Sequence, residues 1–327
     1  MNNKLKMKNV LIIGVSGQDG SYLAEYLLRN HFIVHGVIRH SSSMKSRSRI
    51  DHLKNNKKFF LHYGDITDYG SISDIIIKTK PKIVYNLAAQ SHVQISNLLP
   101  IVTSNINGIG CLNVLEIIKT FNKKIRFYQA STSELFGTNN EKEQNEKTVF
   151  QPVSPYAISK LFSYHICQYY RQAYGMYVVN GILFNHESFR RGNNFVTKKI
   201  IEGAVKIKNN INHIIELGNL DAKRDWGYAP EYVEGMHKMM IQKTPDDYVL
   251  ATGQTHSIKE FVDETFKQLN IPIKWNINKY NFKVKRLDNN KIILKSNNYY
   301  KRNIEVDWLK GDYKKAMIKL NWKPKVK

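Results

Sequence analysis

The chain has 327 residues, 42% apolar and 24% charged, enough for one large α/β core with a smaller, less regular one beside it. That balance is globular and excludes a disordered or fibrous chain. The formal charge of +23 suggests nucleic acid, but the lysines are spread among Asn and Ile along the whole chain. Most of the charge is therefore assigned to solvated faces and to steering of anionic ligands, and no nucleic-acid partner is expected.

Met1 to Lys8 is short, basic and polar, and the apolar run that follows is too brief for a signal peptide. No uninterrupted apolar run approaches the roughly 18 residues that span a bilayer. The expected compartment is the cytoplasm, with no membrane partner. Cys111 and Cys167 fall in apolar, helix-like stretches without a CxxC pair, so both are expected to be buried, reduced thiols, and no metal site is expected.

In chain order, short β-branched runs at 9–14, 33–38, 59–62, 83–87, 125–130 and 178–183 read as strands. Between them, 21–30, 71–80, 107–120 and 156–174 read as crossover helices. This alternation predicts a Rossmann-type, doubly wound parallel sheet over 1–184, rejoined by some later segments. Beyond it the pattern becomes irregular and aromatic-rich, with helices expected at 195–206, 231–242 and 258–269. Residues 185–327 are expected to form mainly a smaller α/β lobe that binds substrate over the end of the sheet. The polar segment 279–298 reads as loop or edge hairpin.

After the first strand comes Gly14-Val15-Ser16-Gly17-Gln18-Asp19-Gly20, opening a helix. Such glycines permit a tight turn and let the backbone approach a pyrophosphate at the positive helix end. Position between strand and helix makes the pattern specific, since glycine-rich turns alone are common. Where NAD enzymes carry an acidic residue after the second strand, this chain has Arg39-His40-Ser41. A cation with hydroxyls suits a 2′-phosphate, so NADP is expected over NAD, with a solvent-exposed basic loop as the alternative. Asp65 and Ile66 fit a loop against the adenine. Leu87-Ala88-Ala89-Gln90-Ser91 closes the fourth strand with small residues that leave room for the cofactor.

Tyr156 and Lys160 stand four apart on a helix and share a face, so an ammonium can lie below the phenol and favour phenolate. That spacing also arises often by chance. The fifth strand runs into Thr132-Ser133-Glu134 at the carboxyl end of the sheet, where ligands bind. Thr132 can hydrogen-bond an oxygen undergoing oxidation, and Glu134 can serve as base and acid of an elimination. A capping or ion-paired Glu134 is the plainer alternative.

Together these stretches, with 17–25, 62–65, 128–135, 180–188 and 217–227, resemble the extended short-chain dehydrogenase/reductase superfamily and, within it, the GDP-mannose 4,6-dehydratases, over nearly the whole chain. The resemblance implies GDP-mannose as substrate, NADP as a cofactor regenerated each cycle, and loss of water as the net reaction. Tyr156, assisted by Thr132 and Lys160, would remove the C4 hydroxyl proton. Glu134 would carry the C5 proton to the departing C6 hydroxyl. It further implies that Ser91, Asn185, Arg191, Asn194, Arg224 and Arg302 bind the nucleotide-sugar and that His186 and Arg191 also lie near the cofactor. A packed or helix-capping His186 is the bland alternative. The segment 41–49 resembles one that reaches a neighbouring subunit, implying a tetramer or dimer.

Four departures from the family pattern stand out: His40 after Arg39, Phe189 for a usual proline, Val102 for a tyrosine, and an extra residue with no proline in 299–307. The last leaves open which cation reaches the diphosphate. The runner-up activity is a nucleotide-sugar 4-epimerase or reductase, which needs no base at Glu134. A non-catalytic basic binding protein rests only on the charge and the early C-terminus. Dehydratases of thymidine-linked glucose have Asp where Ser133 stands.

Overall fold

The computed structural model describes residues 9–40, 48–278, 281–302 and 304–326. Its first half is a run of β-α units: β1 (Asn9–Ile13), α1 (Gln18–Arg29), β2 (Ile33–Ile38), β3 (Phe59–Tyr63), α2 (Tyr69–Thr79) and β4 (Ile83–Asn86). Then come α3 (Val93–Leu98), α4 (Pro100–Ser104), α5 (Gly110–Phe121), β5 (Arg126–Thr132), α6 (Pro155–Tyr174) and β6 (Val178–Leu183). After β7 (Asn185–Glu187) follow α7 (Val196–Lys208), β8 (Ile215–Leu217), β9 (Lys223–Arg224), β10 (Trp226–Tyr228), α8 (Ala229–Met240) and β11 (Asp247–Leu250). The chain ends with β12 (His256–Ser257), α9 (Ile258–Gln268), β13 (Ile273–Asn278), β14 (Asn281–Arg286), β15 (Ile292–Ser296), β16 (Trp308–Leu309) and α10 (Lys314–Leu320).

Seven strands form one parallel sheet in the order β11-β6-β5-β4-β1-β2-β3. Winding runs outward both ways from β1 and β4, which makes the cleft at their carboxyl ends the topological switch point. The strands read as continuous apolar runs because both faces are covered. On one face Tyr22, Leu23 and Leu27 of α1 pack with Tyr232, Val233, Met236 and Met240 of α8. On the other, Ile72 and Ile76 of α2 meet Val114, Leu115 and Ile118 of α5, and Cys167 and Tyr170 of α6. The Cys111 and Cys167 thiols are both fully buried, 3.8 Å apart and unbridged.

One expectation changes here. The helix at 231–242, assigned to the smaller lobe, packs on α1, because its apolar side matches the open face of the large sheet. Beside it β11, hidden within four buried residues, completes that sheet against β6. The helical run Pro100–Phe121 spans 22 residues and is apolar enough by length and composition to cross a bilayer, which a count of uninterrupted apolar residues did not reveal. One side of it is packed into the core.

The smaller lobe is a four-stranded sheet, β13-β14-β15-β8, covered by α7 and α9. Within 279–298, β14 and β15 do form a hairpin, but in the middle of this sheet rather than at its edge. Alternation explains why: Phe282 and Val284 face inward between exposed Asn281, Lys283 and Lys285.

Candidate active site

The cofactor loop is shaped by close backbone approach. Gly14 sits at φ +88°, and a Cβ there would meet the Ala88 amide nitrogen at 2.8 Å. A Cβ on Gly20 would lie 2.4 Å from the Gly14 carbonyl oxygen. Only glycine meets both demands. Gly17 caps α1 without a side-chain hydrogen bond, so the first-turn amides remain available to an anion. These features fit a dinucleotide diphosphate. Leu87, Ala88 and Ala89 follow β4 beside Gly14, and the Leu87 amide donates to the Ile13 carbonyl at 2.9 Å.

The rest of the expected cofactor set is distributed around this loop. Gln18 donates to the His186 carbonyl and accepts from Ser188. Asp19 pairs with His186 Nε2 at 2.8 Å, while His186 Nδ1 contacts the Phe184 carbonyl at 2.7 Å and its ring stacks on Tyr232. Burial pushes the His186 pKa down, but the Asp19 charge and hydrogen bonds outweigh it and the pKa ends above the ordinary value. Burial pushes the Asp19 pKa up, and the His186 cation more than reverses it. The two shifts run in the directions that favour an ionised pair, and the His186 ring is held on both of its nitrogens.

Arg39 is exposed at the end of β2; Ser41 lies outside the described residues. Asp65 accepts from the Thr67 amide and hydroxyl, and Ile66 is buried against Gly110. Gln90 is held by Asn107 and Thr103, and Ser91 is exposed. Arg191 Nε lies 3.2 Å from Glu187 Oε2, with its guanidinium over the Phe195 ring at 3.8 Å.

At the other side of the cleft, β5 ends in Thr132 and a single 3-10 turn carries Glu134, whose amide donates to Thr132 Oγ1 at 3.2 Å. Ser154 caps α6 through the Ala157 amide and places Tyr156 and Lys160 on its buried side. The Thr132 side chain lies near enough to Tyr156 to pull its pKa down against burial. Lys160 Nζ donates to the Ala130 carbonyl at 2.8 Å, not to the phenol.

The expected lowering of the tyrosine pKa by Lys160 is accordingly reversed. Burial raises Tyr156 to about 12, against Thr132 and the Arg191 charge. Burial lowers Lys160 to about 8. The ammonium is spent on a backbone oxygen next to the buried Cys111 and Cys167, which explains why it does little for the phenol.

Arg224 is buried in β9, donates to the Lys223 carbonyl at 2.9 Å, and has the Glu134 carboxylate as its main favourable charge. Arg302 Nη1 reaches both Glu134 oxygens, at 3.4 and 3.3 Å. Glu134 and Arg302 line a small cleft with Asn97, Val153 and Ser154. Asn185 begins β7 opposite Trp226. Asn194 is exposed and its carbonyl meets His92 Nε2 at 3.0 Å.

Three residues outside the expected set shape the site. Asn107, in a π-helical turn, bonds Gln90 at both its amide and its carbonyl, and also Ser159. A polar residue on an otherwise apolar helix is the signal that could have found it. Asp225, fully buried, accepts from Thr252, Gly253 and Gly311 and so fixes the strand carrying Arg224. Arg49, at the end of a segment expected to reach a neighbour, turns inward to the Ser16 and Arg190 carbonyls. Phe189, in place of proline, is 72% exposed and edge-on to Tyr22. Among the described residues no group of three or more His, Cys, Asp or Glu is placed to hold a metal ion.

A doubly wound sheet, a glycine-rich first turn and a Tyr–Lys helix facing the end of β5 define the extended short-chain dehydrogenase/reductase class. Residues 11–327 match the model of the GDP-mannose 4,6 dehydratase family. The chain is 48% identical to GDP-mannose 4,6 dehydratase of Drosophila melanogaster, covering 98% of this chain and 82% of that protein. It is 47% identical to the Homo sapiens enzyme (98% and 88% covered) and 48% to that of Sinorhizobium fredii strain HH103 (97% and 92%). The fold is also that of dTDP-glucose 4,6-dehydratase from Bacillus anthracis, with TM-score 0.79 at 17% identity over 97% of this chain and 92% of that one. UDP-glucose 4-epimerase from Thermotoga maritima superposes with TM-score 0.78 at 22% identity, covering 98% and 94%. The chain belongs to the GDP-mannose 4,6-dehydratase family.

Proposed function

We propose that the protein is a hydro-lyase converting GDP-α-D-mannose to GDP-4-keto-6-deoxy-D-mannose and water, with NADP held throughout, as a step toward GDP-linked deoxysugars such as those of fucose or rhamnose. The observation that carries this reading is the carboxylate of Glu134, one short turn from Thr132 and close enough to Tyr156 and Arg224 for its charge to act on both. An epimerase or reductase has no use for that base.

In this reading Tyr156 takes the C4 hydroxyl proton while Thr132 orients the same oxygen. When bound, an oxidised nicotinamide supplies hydride acceptance and return, and a positive ring that draws the buried phenol toward phenolate. Lys160, anchored on Ala130, fixes the floor of the pocket. Glu134 moves the C5 proton to the C6 oxygen as it leaves, and Tyr156 returns a proton to C5. Arg224 and Arg302 receive the diphosphate, for which a guanidinium fork is suited. Ser91, Asn185 and Asn194 complete the sugar and nucleotide contacts. The bare backbone of Gly14, Gly17, Gln18, Asp19 and Gly20 receives the cofactor diphosphate, with His186 behind it and Arg191 beside it.

NADP is favoured over NAD because the exposed residue at the end of β2 is Arg39 and no acid stands there. We further infer a dimer or tetramer, since Ile101, Val102, Ile158 and Phe162 are exposed on α4 and α6. Two buried thiols 3.8 Å apart and unbridged favour a reducing compartment, the cytoplasm.

Mass spectrometry of GDP-mannose after incubation with the protein and NADP tests the reading. Loss of water is expected; an unchanged mass or an isomer would overturn it.

A further inference from the structure

The elimination base is not open to a sugar in the structure. Both Glu134 oxygens are engaged by one nitrogen of Arg302, and the carboxylate is only 11% exposed while Arg302 is 26% exposed. On that face the guanidinium competes with a substrate carbon for the carboxylate, and moving it away would leave Glu134 free to act.

The two arginines of this cleft differ in freedom. Arg224 lies within β9, flanked by β12 and β16, and Asp225 beside it is pinned by two chain segments, at Thr252-Gly253 and at Gly311. It is a fixed cation. Arg302 lies outside every strand and helix, just after the 3-10 turn at Asn298–Tyr300, and its amide donates to Glu305 of its own segment. It is the movable one. Its contacts with Glu134, at 3.3 and 3.4 Å, are longer than the roughly 2.7–2.9 Å of a tight charge-assisted bond. An incoming diphosphate offers more charge and more acceptor oxygens than one carboxylate.

We propose that Arg302 exchanges Glu134 for the diphosphate of the substrate, so that the base is uncovered only when the charged half of the nucleotide-sugar is seated. Arg302 is thus a positioning residue that couples binding to base release. A sugar without the diphosphate meets a capped base. The proposal rests on the reading of Glu134 as the base and of a GDP-linked sugar as substrate.

The test is calorimetric titration of GDP onto the NADP-loaded protein in four forms: unmodified, Glu134→Gln, Arg302→Gln and the double variant. Removing the Glu134 charge frees Arg302 beforehand, so GDP is expected to bind Glu134→Gln tighter by about two- to fivefold, the range for a part-exposed ion pair. Arg302→Gln is expected to bind weaker, and the double variant no tighter than Arg302→Gln alone. Glu134→Ala is expected to repeat the tightening, which covers the case of a Gln side chain that still holds Arg302.

If both Glu134 variants bind GDP as the unmodified protein does, or more weakly, the exchange is overturned and the substrate reading stands. If the tightening persists without Arg302, general charge is the cause and the exchange again fails. If the unmodified protein does not bind GDP, the substrate reading falls and the exchange with it.

Discussion

Thr132, Glu134 and Tyr156 meet at the mouth of the β5–α6 gap. Glu134→Gln is expected to lower turnover of GDP-mannose about 10²- to 10⁴-fold, the scale of a lost general acid–base, with the fold retained and GDP bound at least as tightly as before. Near-normal turnover, read by water loss in mass spectrometry, would show that another group is the base. A second residue-scale prediction concerns His186. Its pKa is above the ordinary 6.5, chiefly because Asp19 outweighs burial. A raised folded pKa stabilises fully below the unfolded value and loses that contribution as pH rises through the folded one. The melting-temperature gap between unmodified protein and His186→Gln should therefore be larger at about pH 6 than at about pH 9. A gap that widens with pH would contradict an ionised Asp19–His186 pair.

At the scale of elements, the first β-α turn and the lobe hairpin make contrasting demands. Gly20 lets α1 start hard against β1, where an added Cβ would lie 2.4 Å from the Gly14 carbonyl oxygen and 2.7 Å from Val15 Cα. Both are backbone atoms and cannot swing away. Gly20→Ala is expected to cost about 1–3 kcal/mol by overpacking and to weaken NADP binding in the same protein, measurable by denaturation and by titration. In the lobe, Leu294 of β15 is fully buried against β14 and β8. Leu294→Ala should cost about 2–5 kcal/mol, as for a core residue, and urea denaturation gives the value. A cost of a few tenths would mean that the hairpin sits at the edge after all.

For the whole molecule, charge and the apolar helix face carry the consequences. A formal charge of +23 spread over the surface should draw an anionic sugar nucleotide toward the cleft. The kcat/KM for GDP-mannose is expected to fall with ionic strength while kcat stays level, because screening acts on encounter. Exposed Ile158 and Phe162 lie along α6, with Ile101 on the neighbouring α4. Phe162→Glu is expected to yield a smaller particle by light scattering, with turnover per chain reported alongside. An unchanged mass would count against a subunit contact on this face.

Much of this was legible from local pattern alone. Strand periodicity, the glycine spacing of 14–20, the threonine and glutamate after β5 and the Tyr–Lys pair on α6 are each set within one or two elements, so neighbouring residues carry the information. What only tertiary structure decided lies between distant segments. The Arg302–Glu134 contact joins residues 168 apart, and the Asp19–His186 pair residues 167 apart. The return of α8 and β11 to the large sheet depends on which apolar face was left uncovered. Lys160 was correctly placed on a shared helix face with Tyr156, yet its ammonium took the Ala130 carbonyl. A buried cation must find an acceptor, and helix spacing does not record which acceptor the sheet will bring within reach.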